Sequence, residues 1–276
     1  MCYVVRSILA GRLCLSIILA CATPASAQEP TVSGLPQEQA VQNKTASCLE
    51  PPPMVRWEDY QGPFQKAVGV LGRKLERKSA RPPRYKPGAV LCSLEPKDKF
   101  DLFLMDTFEP VSFLAAGFDA GMDQASNRDP SFGQGAEGYG KRYAADFASQ
   151  TSWRFFTDFA YPTIFSEDPR YYRLGMGSFG RRFLHAIDHA FVAHRDDGTH
   201  MFNISEWMGT ASAVALSDAY HPGNQPGLAP AARRVGYVVL QEMGFDVLRE
   251  FWPEIARKLH MPFRGAREPQ TADPPR

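Results

Sequence analysis

His185 and His189 stand four residues apart, the spacing at which one helical face offers two imidazoles to a single zinc ion. His194, Asp196, Asp197 and His200 follow closely enough to complete a ligand set. The pattern departs from H-E-x-x-H, because Ala186, Ile187 and Asp188 lie between the histidines and place no general base as a zinc protease does. A helix that turns Phe183, Ile187 and Phe191 to the core leaves both histidines on the opposite face with Arg181 and Arg182, whose charge repels a cation. A solvated face is the expectation, and a metal site at His185 and His189 is the alternative.

Two other stretches could carry chemistry. Ser166 to Arg173 (SEDPRYYR) is the densest polar and aromatic run, in which Glu167 and Asp168 could act as acid and base beside a clamp of Arg170 and Arg173. Adjacent carboxylates rarely converge on one substrate, so a structural corner with internal acid–arginine pairs is the expected reading. Residues 133–142 (GQGAEGYGKR) nearly spell both G-x-G-x-x-G and G-x-x-x-x-G-K. Both motifs need a buried strand before the loop, and here Asn127 to Ser131 precede it; Arg142 also stands where a P-loop has Ser or Thr. What remains is a helix N-terminus where Gly138, Gly140, Lys141 and Arg142 could hold a phosphate or carboxylate, against the plainer reading of a connecting loop. Met176 replaces the first glycine of G-x-S-x-G around Ser178, and no P-S-G-H occurs, so standard hydrolase signatures fail.

The elements that must position these residues read as helices. Phe64, Val68, Leu71 and Leu75 share one face of a helix after Pro63, with Lys66, Arg73, Lys74, Arg77 and Lys78 on the other, a solvated face or a contact for anionic lipid. Helices are expected from Pro96 to Phe108 and over 111–125, the latter with small residues including the G-x-x-x-G of Gly117 and Gly121. Between about 137 and 160, Tyr143, Phe147, Thr151, Phe155 and Phe159 recur every fourth residue and predict a core-facing stripe. Ser178 can cap a helix over 179–193 whose Phe179, Phe183, Ile187 and Phe191 face the core. Asn203 with Glu206 resembles a capping box for a helix to Tyr220, in which Gly209, Ala211, Ala213 and Ala215 permit close packing. A last amphipathic helix covers 232–251, and Pro253 restarts it toward His260. No strand pattern of comparable quality exists, so the fold class is all-α: one multi-helix domain of six to eight helices over 57–261.

The ends differ in composition. Residues 1–27 form an export signal, with Arg6 and Arg12, the apolar core Leu13 to Ala22 and the cleavage pattern Ala25-Ser26-Ala27. Ile18 to Cys21 also approximates a lipobox, which would anchor the chain through Cys21; ordinary cleavage is favoured because the leucine beside the small residue is atypical. Residues 28–56 are a Pro/Gln-rich arm and 262–276 a proline-rich tail, both expected to be disordered. With 31 basic and 30 acidic side chains the chain has no nucleic-acid signature. An exported, periplasmic or extracellular protein also meets few nucleotide cofactors, and none is expected. Beyond the leader no apolar run approaches the roughly 18 residues of a membrane span. Outside the leader, Cys48 and Cys92 would share an oxidising compartment, where a disulfide is the simplest account and two buried thiols the alternative.

At Gly133 to Tyr143, at Glu167 to Arg173, and at Asn203 to Ser205 with Gly209, the chain resembles a group of exported bacterial proteins of acidobacterial type that has no assigned activity. The resemblance covers about residues 97–250 and implies envelope placement and a single helical domain, but it transfers no catalytic residue. The function expected from all of this is a structural or interaction module of the envelope that self-associates or meets an envelope partner. A periplasmic hydrolase, possibly metal-dependent, and a peripheral membrane binder are the alternatives.

Overall fold

Proline sets where the first three helices begin. α1 (Gly62–Arg77), α2 (Pro96–Thr107) and α3 (Pro110–Ala125) each carry it in the first turn, where its fixed φ suits the helix and its missing N–H has no partner to lose. At the start of α2, the Glu95 N–H donates to Asp98 Oδ2 at 3.0 Å, which helps hold that end. This computed structural model describes residues 48–81, 91–221, 223–224 and 227–266. The expected leader, the first part of the expected arm, residues 82–90 and most of the expected tail lie outside the described residues.

α4 (Gly135–Arg154) continues through a π-helical turn (Phe155–Ala160) into a last α turn, Tyr161–Phe165, and ends at Ser166 in the left-handed region with φ 52°. There follow β1 (Glu167–Asp168), α5 (Phe179–Asp188), β2 (Val192–Arg195), β3 (His200–Phe202), α6 (Ile204–Ser217) and α7 (Leu228–Lys258). The domain is all-α, with seven helices among the described residues and one small antiparallel sheet in the order β1-β2-β3. Sequence patterning missed the sheet because strands of two to four residues offer no period to read. Its register, with Asp168 opposite His194 and Val192 opposite Phe202, lays the polar corner beside the α5–α6 connection.

Cys48 and Cys92 are bonded, with sulfurs 2.07 Å apart. The bond and a bridge between Leu49 and Leu91 fasten residues 48–56 to the helical body. Pro253 does not restart the last helix, which runs unbroken from Leu228 to Lys258.

α6 is the central element, packed against α4, its π turn and α7. Gly209 allows the closest approach, since a Cβ there would lie 2.8 Å from Thr157 Cγ2 and 3.2 Å from the Phe156 carbonyl carbon. Backbone cannot yield as a flexible side chain does, so Gly209→Ala is expected to cost about 1–3 kcal/mol in urea unfolding. A cost under about 0.5 kcal/mol, within the range of an ordinary surface change, would mean that α6 does not sit against the π turn.

The packing inverts two sequence expectations. On α5 the phenylalanine face points outward, with Phe179 68% exposed, while Arg182 is buried against Glu250 at 2.8 Å. His185 and His189 face inward with it, so they do not lie on a solvated surface. α5 also stops at Asp188, because the chain turns into β2. The Tyr143, Phe147, Thr151, Phe155, Phe159 stripe is mostly covered, with Phe155 its most exposed member at 37%; Tyr143 and Phe147 stack at 6.4 Å, Phe113 of α3 stacks on Phe147 at 5.0 Å, and Phe155 lies 5.7 Å from the buried Phe103 of α2. The buried apolar core is correspondingly small. One cluster gathers Tyr60, Leu75, Trp252, Ala256 and Met261, and another Ala80, Leu91 and Tyr172.

Candidate functional site: a charged cavity beneath an uncharged face

α7 carries Glu242, Asp246 and Arg249 at helical spacing, and all three turn inward. Arg249 Nη1 donates to Glu242 Oε1 at 2.6 Å and to Asp246 Oδ1 at 2.5 Å. Just after α5, His189 Nδ1 meets the other Asp246 oxygen at 2.8 Å, which orients the imidazole. Just beyond α1, Lys78 pairs with Asp158 of the π turn at 2.6 Å and reaches Glu242 at 4.0 Å. The π turn widens the helix by one residue at the place where Asp158 must point inward.

Lys78, Asp158, His189, Glu242 and Arg249 line a cavity of about 30 Å³ together with Glu167, Asn203, Ser205 and Glu206, and Asp246 braces Arg249 and His189 from behind. That volume holds about two water molecules. Asp158 Oδ2 and Arg249 Nε are buried there without a protein partner, so water in the cavity has both an acceptor and a donor to meet. Burial pushes Glu167 up to about 7 against the Ser205 N–H that donates to it at 3.2 Å. Burial, reinforced by the charge of Glu242, lifts Glu206 well above the usual carboxylate range. For Glu242 burial acts in the same upward direction, but Arg249 and Lys78 overcome it and hold the group near about 2. Chemically the cavity can hold water and exchange a proton through Glu167, and its size excludes a larger substrate.

The sequence candidates divide around this cavity. Glu167, Asp168 and His189 line it. Asp168 receives Arg170 Nη2 at 2.6 Å and the Tyr172 hydroxyl at 2.7 Å, which makes it a buried structural corner. Arg170 also donates to the Cys92 carbonyl, and Arg173 donates to the Arg249 carbonyl at 2.7 Å and 2.9 Å, so neither guanidinium forms a substrate clamp. His185 Nε2 donates to the Tyr172 carbonyl at 2.8 Å, and its partner histidine is held by Asp246; among the described residues no group of three or more His, Cys, Asp or Glu side chains is placed to hold a metal.

The glycine loop lies elsewhere. Arg142 is buried and donates to the carbonyls of Arg128, Asp129 and Gly133 and to Gln124 Oε1. Lys141 pairs with Glu137 on the surface at 2.7 Å. Gly138 gives the loop room to fold back, since a Cβ there would lie 2.3 Å from the Gly133 oxygen. Gly140 has no neighbour within 4 Å of a built Cβ. The cations of this loop therefore tie its own backbone and helix together rather than forming an anion cradle. On α1, Lys74 and Arg77 are likewise bound to Glu109 at 3.0 Å and 2.7 Å, and Lys78 to Asp158. Three of the five basic residues of that segment thus face partners inside the protein and not a lipid headgroup.

Sequence reasoning passed over Lys78 as an interior group and never singled out Asp158, Glu242, Asp246 and Arg249. The available signal was the narrow charged stripe of α7 opposite a broad face without charge.

That broad face is the outer surface above the cavity. Between Val235 and Phe251 the exposed residues of α7 are Gly236, Tyr237, Leu240, Gln241, Gly244, Phe245 and Leu248, none of them charged. α6 exposes Met208, Ala211, Ala215 and Leu216, and its one ionisable residue, Glu206, is buried. From Tyr143 to Phe165, α4 exposes only Ala144, Ala148, Phe155 and Ile164. Among the described residues no helix is long and apolar enough to cross a membrane. Comparison with protein families, curated proteins and solved structures gives no match for this chain.

Proposed function

We propose that the chain is an exported cell-envelope protein acting as an interaction module, with the uncharged outer face of α4, α6 and α7 as its working surface. One observation carries the reading: along α7, Glu242, Asp246 and Arg249 are turned inside while Tyr237, Leu240, Phe245 and Leu248 stand outside. Soluble proteins tolerate scattered exposed apolar residues, but a contiguous face of them marks a contact surface. The buried ion-pair network provides polar contacts inside the bundle beside a small apolar core, and large apolar side chains stand outside. The bonded Cys48 and Cys92 support an oxidising compartment, in keeping with the export signal at 1–27.

The hydrolase alternative has Glu167 and His189 in one cavity, but about 30 Å³ admits water and not a substrate.

The test is the association of the purified full chain without detergent, by sedimentation and by fractionation with membranes. The wild type is expected to associate with itself or with membranes. The Met208→Glu/Leu240→Glu variant is expected to keep its circular dichroism and urea midpoint and to stay monomeric in the soluble fraction. A monomeric, freely soluble wild type would remove the reading.

A further inference from the structure

We infer that the partner of the α4–α6–α7 face is the hydrocarbon of a phospholipid bilayer, in which the face lies immersed along the plane of one leaflet. This rests on the interaction reading above and names its occupant.

The first argument is length. The seventeen residues Val235–Phe251 present no exposed charge, and at about 1.5 Å per residue they make a strip of roughly 25 Å. Along α4 the residues from Tyr143 to Phe165 make a longer one. α6 lies between them, in contact with both.

The second argument is where the charge resumes. Arg233 is exposed before the α7 strip, and Arg257 and Lys258 are exposed after it. Cationic side chains at both ends of an apolar helical face can reach headgroups while the strip between them meets acyl chains.

The third argument is the interior. A protein partner is usually registered by charge pairs around an apolar patch. Here the residues at the two ends of the α7 strip named above are cations, and within it Glu242, Asp246 and Arg249 bind one another and His189 and are not presented to a partner. Inward-facing charges that pair with each other, and a small residue where two helix backbones meet, here Gly209 against the π turn, are the packing expected of helices bathed in lipid. Among the described residues no helix is long and apolar enough to cross a membrane, so the mode proposed for this face is immersion along the leaflet.

The experiment is flotation of the purified full chain on vesicles of uncharged phosphatidylcholine at 0.1 M and 1 M salt, with sedimentation of the same sample without vesicles. The expected result is flotation at both salts, and loss of flotation in Met208→Glu/Leu240→Glu with circular dichroism retained. Glu95→Gln, an exposed residue at the start of α2 and outside the three helices of the face, is expected to float as the wild type does. A stable oligomer that does not float would overturn the bilayer assignment and leave the interaction reading standing, with a second copy as occupant. A monomer that does not float would overturn both. Flotation that needs anionic lipid and disappears at 1 M salt would overturn the assignment in favour of headgroup contacts. Flotation undiminished in the double variant would overturn it in favour of another segment, the apolar stretch Leu13 to Ala22 first among them.

Discussion

Arg249→Ala is expected to lower the unfolding free energy by about 3–5 kcal/mol, the usual cost of leaving buried charges without their partner. Arg249 is 4% exposed and bridges Glu242 and Asp246, so its removal leaves two carboxylates facing each other in the interior. The loss spreads further, because Asp246 also orients His189. Arg249→Lys is expected to recover only part of the stability, since one ammonium cannot reproduce the forked donors of a guanidinium. Urea unfolding reads both variants. A loss below about 1 kcal/mol for Arg249→Ala, no more than an exposed pair is worth, would show that the network contributes little to the fold.

The second large effect is on the pH dependence of stability. Glu167 and Asp146 are each pushed up to about 7, Glu167 by burial and Asp146 by burial together with Asp123 and Asp119. A carboxyl with a raised native pKa binds its proton more tightly folded than unfolded, so its contribution to stability is present at low pH and is lost as pH rises toward 7. Glu206 acts in the same direction. Glu242, held near about 2, and Glu250, held below its ordinary value by Arg182 and the Gly175 N–H despite burial, act oppositely and lose their contribution as pH falls below about 4.5. His194, lowered to about 3 by burial and by His200, opposes the first group with one proton between pH 6.5 and 3. The raised carboxyls outnumber it, so stability is expected to peak near pH 5 and to fall by about 2 kcal/mol toward pH 7.5. Glu167→Gln is expected to flatten that fall. Stability that instead climbed steadily from pH 5 to 7.5 would contradict the arrangement of these groups.

Much of the fold is legible in the sequence. Pro63, Pro96 and Pro110 mark helix starts, Ser178 accepts from the Arg181 N–H as a cap, and Asn203 accepts from the Glu206 N–H. The disulfide joins Cys48 and Cys92, the pair the sequence suggested. What the sequence does not disclose is which side of each amphipathic helix is inside. Periodicity separates the Phe179–Phe183 face of α5 from the His185–His189 face, but it assigns the apolar one to the core only by the habit of soluble proteins. Glu206 shows the same limit: its spacing from Asn203 suits a capping box, yet its side chain turns into the cavity. The cavity itself joins α6, α7, the π turn, the small sheet and the segments just after α1 and α5 across large sequence separations, and no local motif points to Asp158, Glu242 and Arg249.

The most direct measurement is urea unfolding of two variants two residues apart on α7, Leu240→Glu and Glu242→Leu. Leu240 is 63% exposed on the outer face, whereas Glu242 joins Arg249 and Lys78 inside. The inverted arrangement predicts that Leu240→Glu stays within about 0.5 kcal/mol of the wild type. It predicts that Glu242→Leu loses about 3 kcal/mol, because Arg249 and Lys78 are left short of a buried partner. The opposite order, with the leucine costly and the glutamate dispensable, would place the apolar face in the core and contradict the account.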